Sequence, residues 1–67
     1  MKKDWILTRD AWPEEGRVID FELKGYALDG IRKGEDLDFY FYNPKYEKGF
    51  WLRAKMNQIE KWKYHES

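Results

Sequence analysis

The chain has 67 residues, enough for one domain over 1–67 and too few for two. Its 13 basic and 13 acidic residues cancel, so net charge gives no reason to expect a nucleic-acid or membrane partner. The absence of cysteine excludes disulfide staples and thiolate metal sites, and points to a reducing compartment.

Met1-Lys2-Lys3 carries the charge of a signal-peptide start, but Asp4 and then Arg9-Asp10 interrupt any apolar run. No stretch approaches the roughly 20 apolar residues that span a bilayer. The expectation is a cytoplasmic protein. A domain this small needs a core dense in large side chains, and 4 Trp, 5 Tyr and 4 Phe supply it.

Glycine, proline and Asn43-Pro44 cut the chain into runs of strand length. Trp5-Ile6-Leu7 is a short first strand, followed by a loop over 8–16. Arg17 to Lys24 alternates, with Ile19, Phe21 and Leu23 on one face and Asp20, Glu22 and Lys24 on the other. Tyr26 to Lys33 is a weaker strand, with Asp29-Gly30 as a tight turn or bulge. Leu37 to Tyr42 alternates again: Leu37, Phe39 and Phe41 face the core, and Asp38, Tyr40 and Tyr42 face away. Asn43 to Gly49 is a turn, where Pro44 ends any ladder. Phe50 to Arg53 suits a strand. Gln58 to Tyr64 reads equally as a strand or, with Leu52, Met56, Ile59 and Trp62 near helical spacing, as part of a helix.

Trp5-Ile6, Asp10, Pro13-Glu14-Glu15-Gly16, Val18, Gly49-x-Trp51 and Ile59-x-x-Trp62 together resemble a family of short phage and prophage proteins, domain of unknown function 551. The resemblance spans most of the chain. It departs at Trp12, where the family has leucine, at Glu60-Lys61, where Thr-His precedes the last tryptophan, and in lacking a Pro-rich tail. The resemblance implies a terminal strand over Ile59 to Tyr64 and a home on a phage or mobile element in a bacterial host cytoplasm. It implies no activity.

Few residues suit chemistry. His65 is the one histidine, and no Cys/His cluster exists for zinc. Asp20 with Glu22, Glu14-Glu15 and Glu35-Asp36-Asp38 read as solvated acids or turns rather than hydrolytic pairs. Gly30-Ile31-Arg32-Lys33-Gly34 lacks the strand–loop–helix setting of a phosphate loop and reads as a hairpin turn. Trp12-Pro13 reads as a plug over the end of the core, with an exposed aromatic loop that docks a partner as the alternative. No enzyme and no cofactor is expected.

Two surfaces stand out. Lys45, Lys48, Arg53, Lys55, Lys61 and Lys63, interleaved with rings, form a candidate basic surface for nucleic acid. Tyr40 and Tyr42, with Glu35, Asp36 and Asp38 as a charged rim, form a candidate surface for a host or phage protein or for a second copy. The alternative is that these tyrosines pack under a loop or on the C-terminal segment. The expected fold is all-β: a small, strongly curled antiparallel sheet or SH3-like barrel of five to six short strands. Its alternative is α+β, a curled sheet with a C-terminal helix over about 52–63. The expected function is a non-catalytic accessory protein acting through protein–protein contact, with a nucleic-acid-binding small barrel as the alternative.

Overall fold

The computed structural model describes residues 5–66, so the reading of Met1-Lys2-Lys3 lies outside the described residues. Six strands follow in order: β1 (Ile6–Leu7), β2 (Val18–Leu23), β3 (Tyr26–Lys33), β4 (Asp36–Asn43), β5 (Lys48–Lys55) and β6 (Lys61–Tyr64). A 3-10 turn at Met56–Gln58 lies between the last two. All join one antiparallel sheet in the order β1-β6-β2-β3-β4-β5. The sheet is neither closed nor strongly curled, and β1 and β5 are left as its two edges. No helix among the described residues is long and apolar enough to cross a membrane.

The alternation in β2 and β4 places the core as the period-two pattern requires. Ile19, Phe21, Leu37 and Phe39 are buried, and Leu23 and Phe41 pack against them half-buried. Ala54, Met56, Ile59 and Trp62 complete the cluster. Phe21 and Phe39 meet edge to face at 5.7 Å, the arrangement aromatic quadrupoles favour.

The C-terminal helix over 52–63 does not form. Leu52 to Lys55 belong to β5, the helical turn lasts only through Gln58, and Ile59 is extended at φ −110° and ψ 147°. Met56 and Ile59 are buried because the crossover from β5 to β6 packs into the core, and Trp62 because it faces the core from β6, whereas Leu52 stays exposed. Tertiary contact, not a helical stripe, sets the spacing.

Asp29-Gly30 makes no turn, since β3 runs straight through it. Glycine stands there because a Cβ would meet the Asp38 carbonyl oxygen at 2.7 Å and Phe21 Cε1 at 2.9 Å. The run Gly30 to Gly34 is therefore mostly strand, and only Gly34 belongs to the turn. The plug over the core is also corrected. Pro13 is fully buried, but Trp12 is half-exposed, with the Arg32 guanidinium over its ring at 5.1 Å. Arg32 Nη1 donates to the Pro13 carbonyl at 2.8 Å, and Trp62 Nε1 donates to the Ala11 carbonyl at 2.9 Å. Those bonds hold the loop with proline inward, leaving the indole of Trp12 at the rim.

Candidate functional site

Lys24 and Gly25 both have positive φ, 52° and 86°, as a two-residue hairpin turn requires. The turn fixes the register of β2 with β3, from Leu23↔Tyr26 to Val18↔Ile31. In an antiparallel pair, successive residues turn their backbone groups to alternate sides. Tyr26, Leu28 and Gly30 therefore address β2, while Ala27, Asp29 and Ile31 address β4. The same logic directs Asp38, Tyr40 and Tyr42 of β4 toward β3.

The β3–β4 ladder does not use all of these groups. It pairs Lys33↔Asp36 through Gly30↔Phe39 and stops there. Both strands continue, yet no pairing joins Tyr26–Asp29 to Tyr40–Asn43. Each segment stays in register with its outer neighbour, β2 or β5. The sheet is thus split into two hairpins that part beyond Gly30. A cleft of about 750 Å³ opens between them, lined by Tyr26–Asp29 and Tyr40–Lys45. Tyr26 and Phe41 bridge it from the core side, edge to face at 5.2 Å.

Tyr40 and Tyr42, the tyrosines singled out in the sequence, are both about half-exposed and both line this cleft. Neither lies under a loop. Tyr40 leans on Trp51 at 5.5 Å, and its hydroxyl end fills the space where a Gly49 side chain would stand. Glycine at 49 is what lets the ring lie down. The charged residues expected beside them are further along β4 and already engaged. Asp38 pairs with Arg53 at 2.7 Å, and Asp36 with Lys55 at 3.0 Å and Arg53 at 3.6 Å. Hydrogen bonding from Arg53 lowers the pKa of Asp38, and the same carboxylates raise those of Arg53 and Lys55. The Glu35 carbonyl accepts from Met56 N–H at 2.8 Å, tying the β3–β4 turn to the crossover.

The six cations do not form one patch. Lys48, Arg53 and Lys55 are on β5, whereas Lys61 and Lys63 are on β6, with β2, β3 and β4 between. Lys61 and Lys63 lie over Trp5 at 5.1 and 4.8 Å, and Lys45 lies over Tyr46 at 5.7 Å.

His65 takes part in a cluster on the outer face. Asp20 and Asp29 sit directly opposite one another on β2 and β3, a repulsive pairing if both are charged. His65 Nδ1 lies 2.7 Å from Asp20 and 3.9 Å from Asp29. A hydrogen bond with Asp20, then burial, raises the pKa of Asp29. Burial works against charge on Asp20, but hydrogen bonds with Asp29 and His65 outweigh it and lower its pKa. Bonding to Asp20 raises that of His65. The ligand atoms of these three residues lie within 4.8 Å of one another, close enough to address one metal ion.

In comparison with known proteins, no family model, no curated protein and no solved structure matches the chain.

Sequence reasoning found Tyr40 and Tyr42 but missed Tyr26, Ala27 and the exposed trio Phe50, Trp51 and Leu52. Tyr26 shares the core-side phase of Leu28 with no residue type to mark it. The exposure of the trio follows from β5 being an edge, which depends on strand order and leaves no local pattern.

Proposed function

We propose that this chain is a non-catalytic interaction protein whose cleft takes an extended segment of a partner protein. One observation carries the reading: the β3–β4 ladder stops at Gly30↔Phe39 while both strands run on. Backbone groups of Ala27 on one wall and Tyr42 on the other are left directed into the gap. An extended peptide satisfies such groups by adding to the sheet, with main-chain bonds giving affinity and side-chain pockets giving selectivity. Tyr26, Tyr40, Phe41 and Tyr42 supply apolar walls with hydroxyl handles, a composition enriched at protein interfaces. The resemblance read from Trp5-Ile6 through Ile59-x-x-Trp62 supports a phage or mobile-element origin and a bacterial host cytoplasm, where the partner is a host or phage protein. The order of the sheet and the 3-10 turn before its last strand support reading the fold as an SH3-like barrel left open along β5. The scattered, largely engaged cations give nucleic acid less support than the cleft gives a peptide.

The test is selection from a library of random unstructured peptides, followed by amide chemical-shift mapping of the best binder. Shifts centred on Ala27, Asp29, Tyr40 and Tyr42 are expected. The Tyr40→Ser, Tyr42→Ser double variant should keep its fold and lose the peptide. Shifts confined to another face, or a variant that binds as before, would refute the cleft.

A further inference from the structure

The free edge of β5 poses a separate problem. Strand β5 runs eight residues, Lys48–Lys55, with β4 on one side and, among the described residues, no strand on the other. Three large apolar residues in a row are exposed on it: Phe50 at 41%, Trp51 at 71% and Leu52 at 44%. Folded proteins usually blunt such an edge with charged side chains, proline, a bulge or a covering loop, because unpaired backbone invites another strand. Charges flank the trio at Lys48 and Arg53, but nothing interrupts it.

The backbone phase of β5 limits what can pair there. Phe41↔Phe50 and Phe39↔Leu52 are pairs whose β4 members address β5, so Phe50 and Leu52 spend their backbone groups inward. Gly49, Trp51, Arg53 and Lys55 therefore direct theirs to the open edge. An antiparallel partner must match these groups. For a second copy, a two-fold axis at Trp51 does so over the whole strand, with Gly49 opposite Arg53.

That register is self-complementary. Trp51 meets Trp51 on the outer face. Phe50 comes opposite Leu52 of the second copy, and Leu52 opposite its Phe50, on the core face. Lys48 comes opposite Ala54, so no two cations are paired, and Glu47 at the start of one strand nears Lys55 at the end of the other. Moving the axis to Leu52 instead sets Trp51 against Arg53 and Phe50 against Ala54, which leaves the indole and phenyl rings unmatched. The arrangement also closes on itself. Pairing uses both β5 edges, and the other edge, β1, is only Ile6–Leu7. An isologous contact of this kind stops at two copies.

We propose that the chain forms a symmetric dimer through antiparallel β5–β5 pairing, with the two-fold axis at Trp51. The proposal does not rest on the cleft, which lies on the far side of β4 from this edge.

Sedimentation equilibrium over a concentration series tests it first. Twice the chain mass of 8.3 kDa is expected, and 8.3 kDa at every concentration would overturn it. Trp51→Lys sets two like charges together at the axis and should give a monomer with an unchanged β circular-dichroism spectrum. Mixing it with Trp51→Glu should restore the dimer mass. The chain lacks cysteine, so single cysteines report the register. Two residues facing across a hydrogen-bonded antiparallel pair have Cα atoms about 5.5 Å apart, within disulfide reach. Trp51→Cys should therefore cross-link on mild oxidation and Arg53→Cys should not. A dimer that cross-links equally at both positions, or that survives Trp51→Lys, would refute this pairing. Peptide binding at the cleft is read separately, by titration of the unsubstituted chain, because Tyr40 of the cleft leans on Trp51.

Discussion

The β3–β4 pair has two ends that behave differently. At the turn end, Gly30–Lys33 are laddered to Asp36–Phe39. There the core is covered by Pro13, held by Arg32, and by Met56, held by the Glu35 carbonyl. At the other end the strands part, and the Tyr26–Phe41 ring contact crosses the gap. The two halves of each strand have the same alternation. What separates them is cover: the loop over 8–16 and the crossover over 56–60 reach one end and not the other. A sheet of this size can keep one end unsealed for binding because the other end contains the core.

The largest effect should come from breaking the sealed end. Phe39 is almost wholly buried between Phe21 and the crossover, and Phe39→Ala should cost roughly 3–5 kcal/mol. Urea denaturation followed by tryptophan fluorescence measures it, and a loss below about 1 kcal/mol would mean that the core does not reside there.

The matching substitution at the open end should be much milder. Tyr26 is more than half exposed, and Tyr26→Ala loses chiefly its contact with Phe41, worth about 0.5–1.5 kcal/mol. It should nonetheless weaken peptide binding, since its ring lines the cleft. The same denaturation experiment and a binding titration separate the two readouts, and a cost as large as that of Phe39→Ala would erase the contrast between the ends.

The smallest effect concerns His65, which extends the β6–β2 ladder by donating its backbone N–H to the Val18 carbonyl at 3.0 Å. Its pKa is raised above the ordinary 6.5 by Asp20, so its stabilising contribution is complete below that value and is lost as pH rises through the raised one. Asp20 acts in the opposite sense. Its pKa lies below 3.8, so its contribution is lost as pH falls through that lowered value. Asp29, raised, adds a further small loss as pH rises. The melting temperature should therefore decline modestly from mildly acid to mildly alkaline pH, and His65→Ala should flatten that decline. An unchanged slope in the variant would show that the ring–carboxylate contact does not persist in solution.

Much of the fold was legible where one face is wet. In β2 and β4 the apolar and polar residues alternate strictly, and Ile19, Phe21, Leu37 and Phe39 fell where alternation put them. The exposure of Tyr40 and Tyr42 followed from the same pleat. The last third was not legible, because Met56 and Ile59 bury themselves from the crossover and Trp62 from β6, at a spacing that imitates a helix. The parting of β3 from β4 was hidden for another reason. It depends on how far two hairpins diverge, and no residue at Gly30 or Phe39 signals that. Trp12 misled by size: a large ring looked like the plug, whereas the rigid Pro13 fitted inside and the indole was left to stack under Arg32.

The position of β6 bears on the speed of folding. This strand slots between β1 and β2, and Trp62 donates to a carbonyl 51 positions earlier in the chain. The meander from β2 to β5 needs only neighbouring contacts, which form quickly, whereas that closure must spend the entropy of a long loop before it gains any burial. The barrier should thus fall at the docking of β6, with the four-stranded meander already sampling its pairings. Substitutions around Trp62 and Ala11 should slow refolding, while those at the β4–β5 turn should mainly hasten unfolding.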